Sequence, residues 1–274
     1  MIFSAVIVIT PENDVILPAC TGNYIHGFMF NFLSTFEGIN TTEMHEDKGA
    51  SSFTVSPING HFEKVGKASI LLKQGLKFWF RITVYDVGFS EKVMSEFMKI
   101  KDRDIIIAES KFSVLDIILD NSEHEWAGTS NYSRIYRKYV IDQKDVLKKI
   151  NLRFDTPTTF SAGKHNLILP LPETVFNNLL EKWIRYGEVP FSKIEFLKWV
   201  GENIVVSRYD LRTRMWDFKK YKYVGFVGNV EFLDVSSSDS LYRCLWNVLA
   251  DFAFYAGIGA KTTMGMGMVK RTEL

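Results

Sequence analysis

The chain has 274 residues, 46% hydrophobic and 24% charged, which suits one large domain or two small ones and excludes a low-complexity chain. Its formal net charge of +1 hides a split: residues 1–125 carry 11 basic and 17 acidic side chains, residues 126–274 carry 22 and 15. That asymmetry points to a polyanion partner docking on the second half, against the alternative of ordinary surface scatter.

Met1–Thr10 is apolar but lacks a basic start and a cleavage signal, and it is too short to span a bilayer. Its β-branched run Ile2–Ile9 reads as a buried strand of a cytoplasmic protein without membrane contact. Thr21 or Asn23 offers an N-cap for a helix whose apolar stripe is Ile25, Phe28, Met29, Phe32, Leu33 and Phe36. A polar loop, Glu37–Ser51, follows. Phe53–Ile58, Lys67–Leu72 and Phe78–Tyr85 are strand candidates, Ser90–Lys99 is helical, and Ile105–Ala108 and Phe112–Leu119 are extended. The order is β-α-β-β-α-β. Ser122–Tyr139 is polar and is expected to bridge two halves.

The second half repeats the order. Ile150–Phe154 is a strand, and Pro172 opens a helix carrying Val175, Phe176, Leu179, Leu180, Trp183 and Ile184. Lys193–Val200 is a further helix. Ile204–Met215 and Tyr221–Leu233 form a hairpin with a basic turn. Ser238 or Asp239 caps a last helix bearing Leu241, Leu245, Val248, Leu249 and Phe252, ended by Gly257 in a left-handed conformation. Thr262–Arg271 is the last strand. The fold class is therefore α+β, with two tandem ferredoxin-like (βαββαβ) domains over residues 1–125 and 126–274.

Three stretches carry chemistry. Gly257, Gly259, Gly265 and Gly267 lie within eleven residues around Lys261, directly after a helix. Such glycines either expose N–H groups to phosphate or form a tight structural turn. The hairpin places Arg208, Arg212 and Arg214 at even spacing on one strand face, with Lys219, Lys220 and Lys222 beyond. Trp216, Phe218, Tyr221 and Tyr223 are interleaved with them. Cations beside aromatics suit RNA, by phosphate pairing and base stacking, against the alternative of a solvated hairpin. His45 sits in the polar loop Met44–Gly49, where an imidazole titrates near neutrality, and His26 lies at the edge of the first helix's stripe. His61, His124 and His165 read as surface or structural. His45, Glu46 and Asp47 are consecutive and so do not make a metal site. Cys20 and Cys244 read as free thiols of a reducing compartment.

Phe252–Gly267 resembles the glycine-rich signature loop of the CRISPR repeat-processing endoribonucleases, of the repeat-associated RNA-binding superfamily. His45–Gly49 with Phe53–Ser56, Trp126–Tyr132, Phe154–Phe160 and Gly225–Gly228 resemble further family segments in the same order. The resemblance implies two tandem ferredoxin-like domains with a cleft between them. It implies cleavage of precursor RNA within repeats by attack of the ribose 2′-hydroxyl, leaving 2′,3′-cyclic phosphate and 5′-hydroxyl ends without a metal or other cofactor. On this basis His45 matches the catalytic histidine, as general base or acid. Some members carry a helix-1 tyrosine where this chain has Phe30, which cannot exchange a proton. Others carry an arginine at the position of His26, which is then the second catalytic group, with Lys48 a nearby cation. Arg208, Arg212, Arg214, Lys219, Lys220, Lys222, Lys261 and the four glycines are the expected RNA contacts. The implied partners are repeat RNA, other effector subunits and a second copy of the chain. The rival reading is a non-catalytic RNA-binding subunit of a CRISPR effector.

Overall fold

β-Branched and aromatic residues dominate the strand that organises the first half, Ile2–Pro11 (β1). The computed structural model describes residues 1–36, 52–187, 192–218, 221–237 and 240–273. They fall into two units, the first being Met1–Thr129 with Thr263–Gly265 and the second the remainder.

In the first unit β1 is followed by α1 (Gly22–Ser34), β2 (Phe53–Val55), β3 (Phe78–Val84), α2 (Ser90–Met98) and β4 (Ser110–Ile118). The ladder runs β2-β3-β1-β4, antiparallel throughout, which is the ferredoxin-like order, and Asp104–Ile107 extends the sheet beyond β4. Phe3, Ala5, Ile7 and Ile9 alternate along β1 and share one core with Ile25, Phe28, Met29 and Leu33 of α1. Ser4 and Val6 on the opposite face are buried too. There the Ser4 hydroxyl accepts from Arg81 Nε at 2.7 Å and donates to the Trp126 carbonyl at 2.5 Å. The Arg81 guanidinium stands 5.0 Å from the Trp126 ring. The central strand is therefore covered on both sides.

Three local expectations change. Ser69–Leu72 does not join the main sheet but pairs with Val15–Pro18 and Glu63–Val65 in a separate three-stranded sheet. The short β2 takes the ladder position, fastened by a 2.6 Å hydroxyl pair between Thr54 and Thr83. Thr21 does stand at the N-cap of α1, yet its hydroxyl accepts from the Ile58 N–H at 2.7 Å instead of capping the helix. The stretch Ser122–Tyr139 does contain the boundary between the units, at Thr129 and Ser130, but it is not polar throughout, because Trp126, Tyr132, Ile135 and Tyr139 are buried.

The second unit comprises β5 (Lys149–Thr158), α3 (Pro172–Tyr186), α4 (Lys193–Asn203), β6 (Ile204–Asp217), β7 (Lys222–Asp234), α5 (Leu241–Ala256) and β8 (Val269–Thr272). Its ladder, β6-β7-β5-β8, repeats the ferredoxin-like order. Val175, Phe176, Leu179, Leu180 and Trp183 line the buried face of α3, whereas Ile184 lies off that stripe and is exposed. Residues Ser238 and Asp239 lie outside the described residues; the Ser240 hydroxyl caps α5 by accepting from the Arg243 N–H at 3.2 Å. Gly257 ends α5 at φ +62°. The final strand begins only at Val269, since Thr262–Met264 winds into a 3-10 turn.

One irregularity sets the direction of the hairpin. Val206 pairs with Phe232, whose ring packs on Phe176 of α3 at 5.4 Å. The next pair is Arg208 with Glu231, so Ser207 is a bulge. Strand side chains alternate faces, and the extra residue reverses the alternation. Ile204 and Val206 thus point to the helices, while Arg208, Asp210, Arg212 and Arg214, at the same even positions, point to the open face. Among the described residues no helix is long and apolar enough to cross a membrane.

Candidate functional site

α1 places His26 at the margin of its buried stripe, half-buried between core and surface. Its Nδ1 lies 2.8 Å from the Thr263 carbonyl oxygen, and its ring centre lies 4.6 Å from that of Phe30 and 6.4 Å from that of Phe53. A carbonyl oxygen only accepts, so the geometry gives Nδ1 the proton. His45 and Lys48 fall in residues 37–51, outside the described residues. Of the other histidines, His61 and His165 are exposed. His124 Nδ1 accepts from the Trp126 N–H at 3.1 Å.

The glycine-rich loop is buried at Gly257, Gly259, Gly265 and Gly267. Its amides are largely committed inside the protein. Gly257 N–H donates to Ala253, Ile258 to Gly267, Ala260 to Thr159 and Gly267 to Pro157. Gly259 N–H donates to Asn178 Oδ1 at 2.8 Å. A phosphate would find the amides of Gly257, Gly259 and Gly267 already taken. A Cβ on Gly259 would stand 2.5 Å from the Thr159 carbonyl oxygen, so the glycine serves close backbone packing. The loop's side-chain cation is Lys261, held at φ +60° with its ammonium 5.8 Å from the Tyr221 ring.

Sequence reasoning missed the residues that grip this loop. Lys182 interrupts the buried stripe of α3, between Leu179 and Trp183, and is itself buried. Its Nζ donates to the carbonyls of Ala256 and Gly257, both at 2.9 Å, satisfying groups at the end of α5. Burial without a carboxylate partner pushes its ammonium down to about 7. A lysine in phase with an apolar stripe was the available signal.

On the hairpin, Arg208, Arg212 and Arg214 are exposed on the open face, and among the described residues none of them forms an ion pair. Their surroundings differ. Arg208 shares a depression of about 300 Å³ with Asp210, Glu231 and Glu273, which offset its charge, whereas Arg212 and Arg214 lie further out, opposite Val227 and Gly225. Lys222 pairs with Asp217 at 3.3 Å on the surface. Lys219 and Lys220 lie outside the described residues. Trp216 and Phe218, expected to be available for stacking, are buried, and the Phe218 ring packs against those of Tyr221 and Tyr223, with centres 5.1 and 5.9 Å apart. Tyr221 is 42% exposed and Tyr223 half-buried, so these two rings remain accessible.

Both halves match one family. The CRISPR Cas6 N-terminal domain matches residues 1–137, and CRISPR-associated endoribonuclease Cas6 matches residues 152–269. The chain belongs to the Cas6 family. A CRISPR-associated endoribonuclease Cas6 of Streptococcus thermophilus is 29% identical over 121 residues, 44% of this chain and 49% of that protein, so the match spans about half of that relative. The fold is shared over full length with a Thermus thermophilus Cas6 in a product complex (TM-score 0.80, 22% identity, 99% of this chain and 100% of that one). It is shared also with a Cas6 in a substrate mimic complex (TM-score 0.75, 22% identity, 99% of each chain). Two ferredoxin-like domains are thus the common architecture.

Proposed function

We propose that this protein is an endoribonuclease that cuts CRISPR precursor RNA within its repeats. The observation that carries the reading is membership of the Cas6 family over both halves of the chain. The chemistry needs no metal. The ribose 2′-oxygen bonds to the adjacent phosphorus as the bond from phosphorus to the 5′-oxygen breaks. The 2′-proton passes to a base, and an acid protonates the leaving 5′-oxygen. The products carry a 2′,3′-cyclic phosphate and a 5′-hydroxyl. His45 and His26 are the proton-transfer pair, and Lys48 stabilises the charge that builds on phosphorus. The basic second half, residues 126–274, holds the RNA, with Arg212, Arg214, Lys219, Lys220 and Lys261 as its principal cations. Arg208 and Lys222 contribute less because carboxylates stand beside them. The buried glycines of the loop act by shaping the turn that presents Lys261.

Repeat RNA incubated with the purified protein in EDTA tests the reading. The expected result is one cut per repeat, with a 5′-hydroxyl on the downstream fragment. Activity lost to chelator and restored by a divalent metal would favour a metal nuclease. Tight binding without any cut would favour a non-catalytic subunit of an effector.

A further inference from the structure

Gly22 and His26 are one helical turn apart, so they share a face of α1. That face meets the turn Thr263–Gly265, which belongs to the same unit. A Cβ at Gly22 would collide with the Met264 carbonyl oxygen and stand 2.7 Å from Gly265 Cα. Both obstacles are backbone and cannot swing aside. Gly22 thereby admits the turn against the start of the helix. One turn further on, the Thr263 carbonyl oxygen reaches His26 Nδ1 at 2.8 Å.

We propose that the turn Thr263–Gly265, seated by Gly22, is a positioning device that locks His26 in the Nδ1–H tautomer and makes Nε2 its proton-exchanging atom. The catalytic consequence rests on the reading that His26 takes part in cleavage. An imidazole without such an anchor samples both tautomers, whereas a carbonyl on one nitrogen selects one, as the third member of a catalytic triad does. The neighbouring Phe30 and Phe53 rings restrict rotation of the imidazole. With Nδ1 committed to the Thr263 carbonyl, a 2′-hydroxyl proton is taken up at Nε2 or a 5′-oxygen is protonated from Nε2. Either role runs through one atom. The glycine-rich loop then has a purpose other than phosphate binding: its distal turn reaches the histidine.

Nitrogen-15 NMR of histidine-labelled full-length protein tests the lock directly. Wild-type neutral His26 is expected as Nδ1–H, and Gly22→Ala is expected to shift it to a mixture. A wild-type Nε2–H tautomer overturns the proposal, and that measurement needs no variant to fold. In single-turnover cleavage of repeat RNA, Gly22→Ala should slow the reaction about 10- to 100-fold, within the range of one acid–base group. RNA affinity should stay within about twofold, and the same substitution placed on His26→Ala should add no further loss. Equal losses in both backgrounds would show a merely structural glycine and overturn the proposal. An unchanged rate in His26→Ala together with the Nδ1–H signal would support the lock and remove His26 from the cleavage reading.

Discussion

The two sheets share a strand order but not an environment. In the first unit β1 is buried on both faces, with Ser4, Arg81 and Trp126 closing the side away from α1. In the second unit β5 alternates buried and partly exposed residues, and β6 leaves its arginine row open to solvent. A sheet sealed on both sides gives a stiff frame, which suits holding an imidazole in one orientation. A sheet with one open face gives area for a polyanion. On the proposed assignment, a duplicated fold divides labour by what covers its second face: rate in the first unit, affinity in the second.

The division can be broken or sharpened by substitution. The largest effect is expected from His45→Ala, which should slow single-turnover cleavage by about 10²–10⁴-fold with unchanged RNA affinity. Full activity would remove the central assignment. His26→Ala should cost rate as well, by about 10²-fold, again without loss of binding. The combined Arg212→Ala, Arg214→Ala, Lys220→Ala variant should do the reverse. Its affinity should fall roughly tenfold and its salt dependence should flatten, by about 0.7 in log–log slope for each lost phosphate contact to single-stranded RNA. Binding titrations at several salt concentrations measure both. An unchanged slope would place the RNA elsewhere.

A further prediction concerns stability. Lys182 titrates at about 7 in the folded protein, below the unfolded value of 10.5. Between those values the unfolded chain holds more protons, so stability rises with pH across that window. In Lys182→Met this rise should disappear, a difference of up to about 1.4 kcal/mol per pH unit within the window. Urea unfolding at about pH 7 and about pH 8.5 would read it. Identical pH slopes in the two proteins would refute the buried-amine account.

Periodic features were legible. The stripe Ile25, Phe28, Met29 and Leu33 is buried as its 3.6-residue spacing required, and Gly257 ends α5 as a glycine should. Both strand–helix orders could be read because each element is long or strongly patterned. Features set by distant partners could not. Whether Phe53–Val55 or Ser69–Leu72 joined the ladder depended on pairing with Val84 or with Leu17, which local propensity does not rank. The aromatics of the hairpin looked alike in sequence, yet Trp216 and Phe218 are buried whereas Tyr221 is exposed. The commitment of the glycine-loop amides and the approach of residue 263 to residue 26 join segments far apart in the chain, and no spacing rule announces them. The proposed roles of the site residues came from family resemblance, since a lone histidine in a loop has no local mark of catalysis.

The single unpaired residue at Ser207 has an evolutionary corollary. Losing that one codon would leave every arginine in place and the chain's electrostatic total untouched, yet would move the cationic row to the opposite face of β6, where Tyr209 and Met215 are now exposed. A lineage could redirect its basic row in this way without any change that a tally of charges would register.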